Sequence, residues 1–187
     1  MSRLVVSEFV TLDGVVEDPG GAEDFERGGW AFQFERGPEG EQFKLDETLA
    51  SSALLLGRVT YEGFAEAWPS REGEFADKFN AMPKYVVSST LESPEWENST
   101  VVRGDLADEV ARLKREHEGD IVVHGSAQLV QALVAANLVD ELRLMVFPVV
   151  LGAGKRLFRD GAERTAFRLV GTKPAGEVVI LTLVPAS

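Results

Sequence analysis

The sequence predicts a single α/β domain, with a mixed, mostly parallel sheet flanked by helices and closed by a C-terminal antiparallel hairpin. Three observations carry that expectation. Short β-branched runs alternate with stretches of helical apolar spacing along most of the chain. Ile121 to Pro148 reads as strand, glycine turn, helix and strand, the pattern of a right-handed βαβ unit. Phe167 to Gly171 and Val178 to Val184 are apolar runs joined through Pro174-Ala175-Gly176, the pattern of a hairpin at a sheet edge. No repeat, low-complexity segment or linker divides the 187 residues. One core of this size can bury roughly 70% of the unfolded surface.

Composition narrows the function classes. A formal charge of -12 argues against a nonspecific nucleic-acid binder, which needs clustered Lys and Arg. There is no cysteine, so disulfide, thiol and cysteine-zinc chemistry are excluded. Of the two histidines, His117 reads as helix surface and His124 as lining a turn, so no metal site is expected. Met1 to Val10 lacks a basic region followed by a long apolar run, and no stretch approaches the ~20 apolar residues of a membrane span. A cytoplasmic protein acting on a small molecule, without a nucleic-acid or membrane partner, is the expectation.

Taken in order, Leu4 to Val10 is a strand and Thr11-Leu12-Asp13-Gly14 a turn in which Asp13 is a turn-former unless a ligand comes near. Glu17 to Glu39 is rich in Gly, Pro and acidic residues yet holds Phe25, Trp30, Phe32 and Phe34. Such a loop either closes over a flat ring or is pinned to the core or to a partner. Glu41 to Ser51 is a helix contacting the core through Phe43, Leu45 and Leu49, and Ala53 to Leu56 is a buried strand. Gly57-Arg58-Val59-Thr60 then opens a short helix: Arg58 can make a forked contact with a phosphate and Thr60 can set its hydroxyl beside unpaired helix N–H groups. The plainer alternative is a helix cap with a surface arginine. Tyr85 to Val87 is a strand ending in Ser88-Ser89-Thr90, hydroxyls suited to a phosphate or to a turn. After the strand Thr100 to Val102, Asp105 caps a scaffold helix with Val110 and Leu113 inward and Lys114 and Arg115 at its end. In the βαβ unit, His124-Gly125-Ser126 ends the strand, Leu129, Val130, Leu133 and Val134 mark the helix, and Asn137 stops it. The helix start lies at the carboxyl edge of the sheet, where an anion such as a pyrophosphate is favoured, although a simple turn and cap explains the same residues. Pro148 to Phe158 is a glycine-bearing loop with Gly152, Lys155 and Arg156.

Three strand ends with phosphate-capable residues, together with Thr11-Leu12-Asp13-Gly14, Leu56-Gly57-Arg58-Val59-Thr60-Tyr61-Glu62 and Val123-His124-Gly125-Ser126-Ala127, resemble the dihydrofolate reductase fold, and within it the reductase domain of bacterial riboflavin biosynthesis. Leu138 to Leu142 running into Pro148 to Gly152 adds to the likeness, which spans nearly the whole chain, in a stand-alone form. The resemblance implies a three-layer fold and an NADPH site. Arg58, Ser88 and Ser89 match the holders of the 2′-phosphate; Gly57 and Thr60, with the amides of their helix, match one side of the pyrophosphate clamp. His124, Gly125, Ser126, Ala127 and Gln128 match the other, with Gly-Ser where dihydrofolate enzymes have Gly-Gly. Counting sixteen residues back from Gly57 gives Glu41 as a carboxylate assisting protonation, with Asp46 or Glu47 able to shift into that space and Asp13 as the other candidate. Trp30 and Gly152 are implied to border the substrate. The implied activity is hydride transfer from NADPH to a small heteroaromatic, pteridine- or pyrimidine-like compound, as in 5-amino-6-(5-phosphoribosylamino)uracil reductase. A non-catalytic nucleotide-binding or dimeric module is the alternative, and the loop and carboxylate depart from authentic dihydrofolate reduction. The hairpin and Leu142 to Val150 are implied to form a homodimer.

Overall fold

The computed structural model describes residues 2–186. Eight strands form one sheet: β1 (Leu4–Thr11), β2 (Ser51–Gly57), β3 (Lys84–Val87), β4 (Ser99–Val102), β5 (Asp120–Val123), β6 (Glu141–Phe147), β7 (Phe167–Ala175) and β8 (Val178–Pro185). Their order is β4-β3-β2-β5-β1-β6-β8-β7. Every pairing from β4 to β6 is parallel, and β8 runs antiparallel to both β6 and β7. The mixed, mostly parallel sheet with its closing hairpin is therefore the architecture that the strand and helix patterns predict.

Helices α1 (Gly37–Ala50), α2 (Arg58–Ala67), α3 (Glu74–Ala81), α4 (Leu106–Glu116) and α5 (Ala127–Ala135) complete three layers. Strand β1 is buried on both faces, so its sequence is near-continuously apolar instead of alternating. On one face Leu4, Val6, Ala53, Leu55, Ile121 and Val123 pack against Val110 and Leu113 of α4 and Leu129, Val130 and Leu133 of α5. On the other, Val5, Leu54, Leu56, Val86 and Val122 meet Tyr61 of α2 and Phe79 of α3. No described helix is long and apolar enough to cross a membrane.

Three local expectations change. Helix α1 begins at Gly37, four residues before Glu41, because Pro38 is tolerated in a first turn. Of its expected core contacts Phe43 packs against the Trp30 and Phe147 cluster and Leu45 is half-buried, but Leu49 is 39% exposed, whereas Lys44, Glu47 and Thr48 are buried. In the hairpin, Pro174 and Ala175 belong to β7, an edge strand where proline costs no ladder donor. The turn is made by Gly176 and Glu177, and at Gly176 (φ +58) a Cβ would lie 2.3 Å from the Glu35 carbonyl oxygen. Glu177 donates its N–H to that same oxygen, seating the hairpin against the chain just before α1.

The aromatic loop of residues 17–39 is pinned to the core. Asp18 accepts the Ala22 and Glu23 amides on its carboxylate and the Gly29 amide on its carbonyl. Trp30 is fully buried, edge-on to Phe147 at 5.3 Å, with its indole N–H on the Glu17 carbonyl. Phe32, 77% exposed, is the aromatic that this loop leaves in solvent.

Candidate functional site

The site is built where β2, β5 and β1 end side by side. Leu54 pairs with Val122, and Val6 with Val123. Extending those two registers sets Gly57, Gly125 and Glu8 level with one another at the carboxyl edge. Three hydrogen bonds fix the junction. The Gly57 N–H donates to Ser126 Oγ at 2.9 Å, the Ser126 N–H donates to Thr60 Oγ1 at 2.9 Å, and the Ser126 hydroxyl donates to the His124 carbonyl at 3.1 Å. The starts of α2 and α5 are thus tied directly to each other.

That closeness explains the residue types. Gly125 has φ +55, and a Cβ on it would lie 2.8 Å from Thr60 Oγ1. Ser126 is also left-handed (φ 57, ψ 46), a conformation that costs a residue with a side chain ~1 to 2 kcal/mol. Strain of that kind persists where surroundings over-determine it, as the Thr60 and Gly57 bonds do here. The first helical closure of α5 is Val130 N–H to Ser126 O at 2.9 Å, so helix geometry leaves the amides of Ala127, Gln128 and Leu129 without an intrahelical acceptor.

Neither α2 nor α5 has a side-chain cap or an acidic residue in its first turn. The scaffold helix α4, in contrast, is capped by Asp105 and carries Asp108 and Glu109 in its first turn. In a chain of net charge -12, the two helix starts at this edge are the ones kept clear of carboxylates in their first turns. Their amides and dipoles can take an anion spanning both.

Around this junction the other anticipated residues fall at several depths. Gly57 pairs with Val87, so Arg58 and Ser88 leave adjacent strands at one level. Arg58 is half-exposed and paired with Glu62 at 2.9 Å, one turn along α2. Ser88 Oγ accepts the Thr90 and Leu91 amides as a turn hydroxyl, while Ser89 is exposed. Gln128, exposed, begins α5 beside Ala127. His124 donates Nδ1–H to the Ser7 carbonyl at 3.1 Å; burial, and then the Lys44 ammonium, pull its pKa down to about 4, so the ring is neutral.

The anticipated catalytic and substrate residues are placed less simply. Asp13 accepts from the Thr11 hydroxyl at 2.6 Å and from the Gly152 and Leu151 amides, which hold its pKa near 2. It clasps the first turn to the late glycine loop as a permanent anion, a geometry for bracing and not for donating a proton at neutral pH. Gly152 is the other half of that clasp. Glu41 turns outward, its side chain 63% exposed and paired with Arg36 at 2.6 Å. Trp30 is core, as described, and offers no face to a ligand.

The carboxylate that α1 does bring inward is Glu47. Its Oε1 accepts from Lys44 Nζ at 2.5 Å and from the Ser7 hydroxyl at 2.8 Å, and its Oε2 from Arg143 at 3.2 Å. Burial opposes its charge, yet Lys44, then His124 once it is protonated in acid, and Arg143 bring its pKa down to about 2. Glu47, too, is a fixed anion. Glu8, which the sequence did not single out, is shifted the other way, its pKa pushed up by burial: it is 4% exposed, with Oε2 accepting the Gly125 amide at 3.0 Å. A charged residue inside a mostly apolar β-strand was the available signal. Among the described residues no cluster of three or more His, Asp and Glu could hold a metal.

Paired helix starts at the carboxyl edge of a largely parallel sheet, outside the strand ends, are the ligand-binding edge of an open α/β fold. The chain belongs to the RibD C-terminal domain family, whose profile matches residues 3–181. It is 33% identical to the uncharacterized protein YwjB of Bacillus subtilis over 184 residues, covering 98% of both chains. Among solved structures it is similar to a putative riboflavin biosynthesis protein from Shewanella sp. PV-4, with TM-score 0.77 and 20% identity over 99% of each chain. It is also similar to RibD of Acinetobacter baumannii, with TM-score 0.70 and 17% identity, covering all of this chain and 59% of the longer one. These likenesses fix the fold as that of the RibD C-terminal domain.

Proposed function

We propose that this protein is an NADPH-dependent reductase that transfers hydride to a small heteroaromatic compound of pteridine or pyrimidine type. The observation that carries this reading is the pair of carboxylate-free helix starts locked together by Thr60 and Ser126. The amides of Ala127 and Gln128, with the start of α2, would hold the pyrophosphate. Arg58 and Ser89 would hold the 2′-phosphate, with Ser88 shaping their turn. Releasing Arg58 from Glu62 costs only ~0.5 kcal/mol for an exposed pair of this spacing. The nicotinamide supplies the hydride chemistry, and the protein's task is to orient it and exclude water. Family membership supports the cofactor and the reaction class.

Thermal unfolding with NADPH and with NADH tests the cofactor. At ligand about 100 times its dissociation constant, stabilisation is ~2.7 kcal/mol, roughly 5 to 10 °C for a domain of this size. Arg58→Ala is expected to weaken NADPH by about tenfold or more, the worth of one charge-assisted bond, and to leave NADH unchanged. Equal losses for the two nucleotides would remove Arg58 from the 2′-phosphate. Oxidation of NADPH in the presence of a pterin, flavin-precursor or quinone panel separates an enzyme from a module that binds nucleotide without turnover.

A homodimer is part of the same proposal. Leu144, Val146, Val179, Leu181, Leu183 and Leu169 share one face of β6, β8 and β7 and all remain partly exposed, Leu169 by 54%. A second copy covering this self-complementary strip would remove it from water. Leu181→Lys is expected to convert a dimer to a monomer in light scattering; a wild-type chain that is monomeric at every concentration would refute the dimer.

A further inference from the structure

The junction of the two helix starts holds one side chain whose bonding is incomplete. Glu8 lies on β1 level with Gly125 of β5, and its Oε2 accepts the Gly125 N–H at 3.0 Å. Its other oxygen, Oε1, is buried and has no hydrogen-bond partner among the described residues. An anion with one bare buried oxygen is costly, and a carboxylic acid in the same place is far less so. The position also matters for charge. Gly125 is two residues before Ala127, the first of the amides that α5 leaves without an acceptor, and an ionised Glu8 would cancel much of the positive end of that helix.

We propose that Glu8 is a positioning residue that works as a neutral acid under the glycine turn, holding the Gly125 amide while keeping negative charge out of the anion cradle. The inference rests on the NADPH reading for its ligand and makes that reading pH-dependent. The groups facing Glu8 are consistent with it. Burial pushes its pKa well above the ordinary carboxylate range; the Lys44 ammonium and the Gly125 amide pull the other way, and the Glu47 carboxylate pushes it further up. His124, next to the turn, is neutral, and the first turns of α2 and α5 bring no carboxylate. For a carboxyl whose pKa is raised, the neutral form persists to higher pH than in an ordinary carboxylate and is lost as pH rises through the shifted value. Anion affinity falls with it.

Two measurements on the full chain test this. Dissociation constants for NADPH, and separately for inorganic pyrophosphate, are determined from pH 7 to pH 10 for wild type and for Glu8→Gln, which keeps the acceptor for Gly125 and cannot ionise. Relative to the glutamine variant at each pH, whose profile carries the ionisation of the ligand alone, wild-type affinity is expected to fall at least tenfold across the titration. In the ligand-free wild type, the Gly125 amide resonance is expected to move with the same midpoint, a readout that needs neither a variant nor a ligand. Parallel pH profiles for the two proteins, or a Gly125 resonance that titrates in the ordinary carboxylate range, would overturn the proposal. Pyrophosphate binding without NADPH binding would refute the cofactor reading alone. Binding of neither would refute both.

Discussion

Glu47→Ala is expected to lower the unfolding free energy by ~3 to 5 kcal/mol, the cost of leaving buried charges without their partner. The Glu47 side chain is 2% exposed, and the Lys44 and Arg143 side chains that converge on it are 11% and 13% exposed. Arg143 would keep Asp120 and Glu141, at 3.1 and 2.6 Å. Lys44 would be left with the Ser7 hydroxyl at 2.9 Å and with the Phe9 ring, 5.6 Å from its nitrogen. The loss therefore falls mainly on Lys44, and Lys44→Met in the Glu47→Ala background is expected to recover part of it. The pH dependence has a definite sign. Glu47 has a pKa of about 2 in the fold against an ordinary 4.5, so its contribution is complete above pH ~4.5 and is lost as pH falls toward 2. Urea unfolding at pH 7 and through the acid range measures both effects. An alanine variant within ~1 kcal/mol of wild type at pH 7, or with an unchanged acid slope, would contradict the account.

The same cluster marks how far the sequence could be read. Strand and helix order were legible because β2, β5 and β6 are β-branched or leucine runs ended by glycine or proline, and local chain chemistry decides such boundaries. The turns at Gly57 and Gly125 were legible for the same reason. What joins them was not: Thr60 to Ser126 and Glu8 to Gly125 are contacts between residues 66 and 117 positions apart, set by strand register. Helix α1 shows a second limit. Its most buried positions are Gly40, Lys44, Glu47 and Thr48, so a rule that turns apolar residues inward finds Phe43 but misses the charged side chains beside it and wrongly includes Leu49. Only Ser7 and Arg143 on the neighbouring strands make charged side chains acceptable there. Trp30 shows a third, since an aromatic in a polar loop reads alike whether it covers a ligand or plugs the core.

Gly125→Ala is expected to weaken NADPH by about 100-fold while costing only ~1 to 3 kcal/mol of stability, and Gly57→Ala to do neither. The contrast follows from their surroundings. At Gly125 an added methyl meets a left-handed backbone and would stand 2.8 Å from Thr60 Oγ1 and 3.0 Å from its Cγ2, so Thr60 must move. Moving Thr60 releases the Ser126 amide that it accepts at 2.9 Å, and the two helix starts lose their common alignment. At Gly57 the backbone is ordinary (φ -77), and the nearest atom to a new methyl is Ser126 Cβ at 3.5 Å, an ordinary contact. Both variants add the same bulk at the same edge, so bulk alone predicts equal losses and alignment predicts unequal ones. Nucleotide titrations of the two variants beside their urea midpoints decide between them. If Gly125→Ala binds NADPH like wild type, the alignment of α2 and α5 is not what holds the nucleotide, and the anion site must be sought away from this junction.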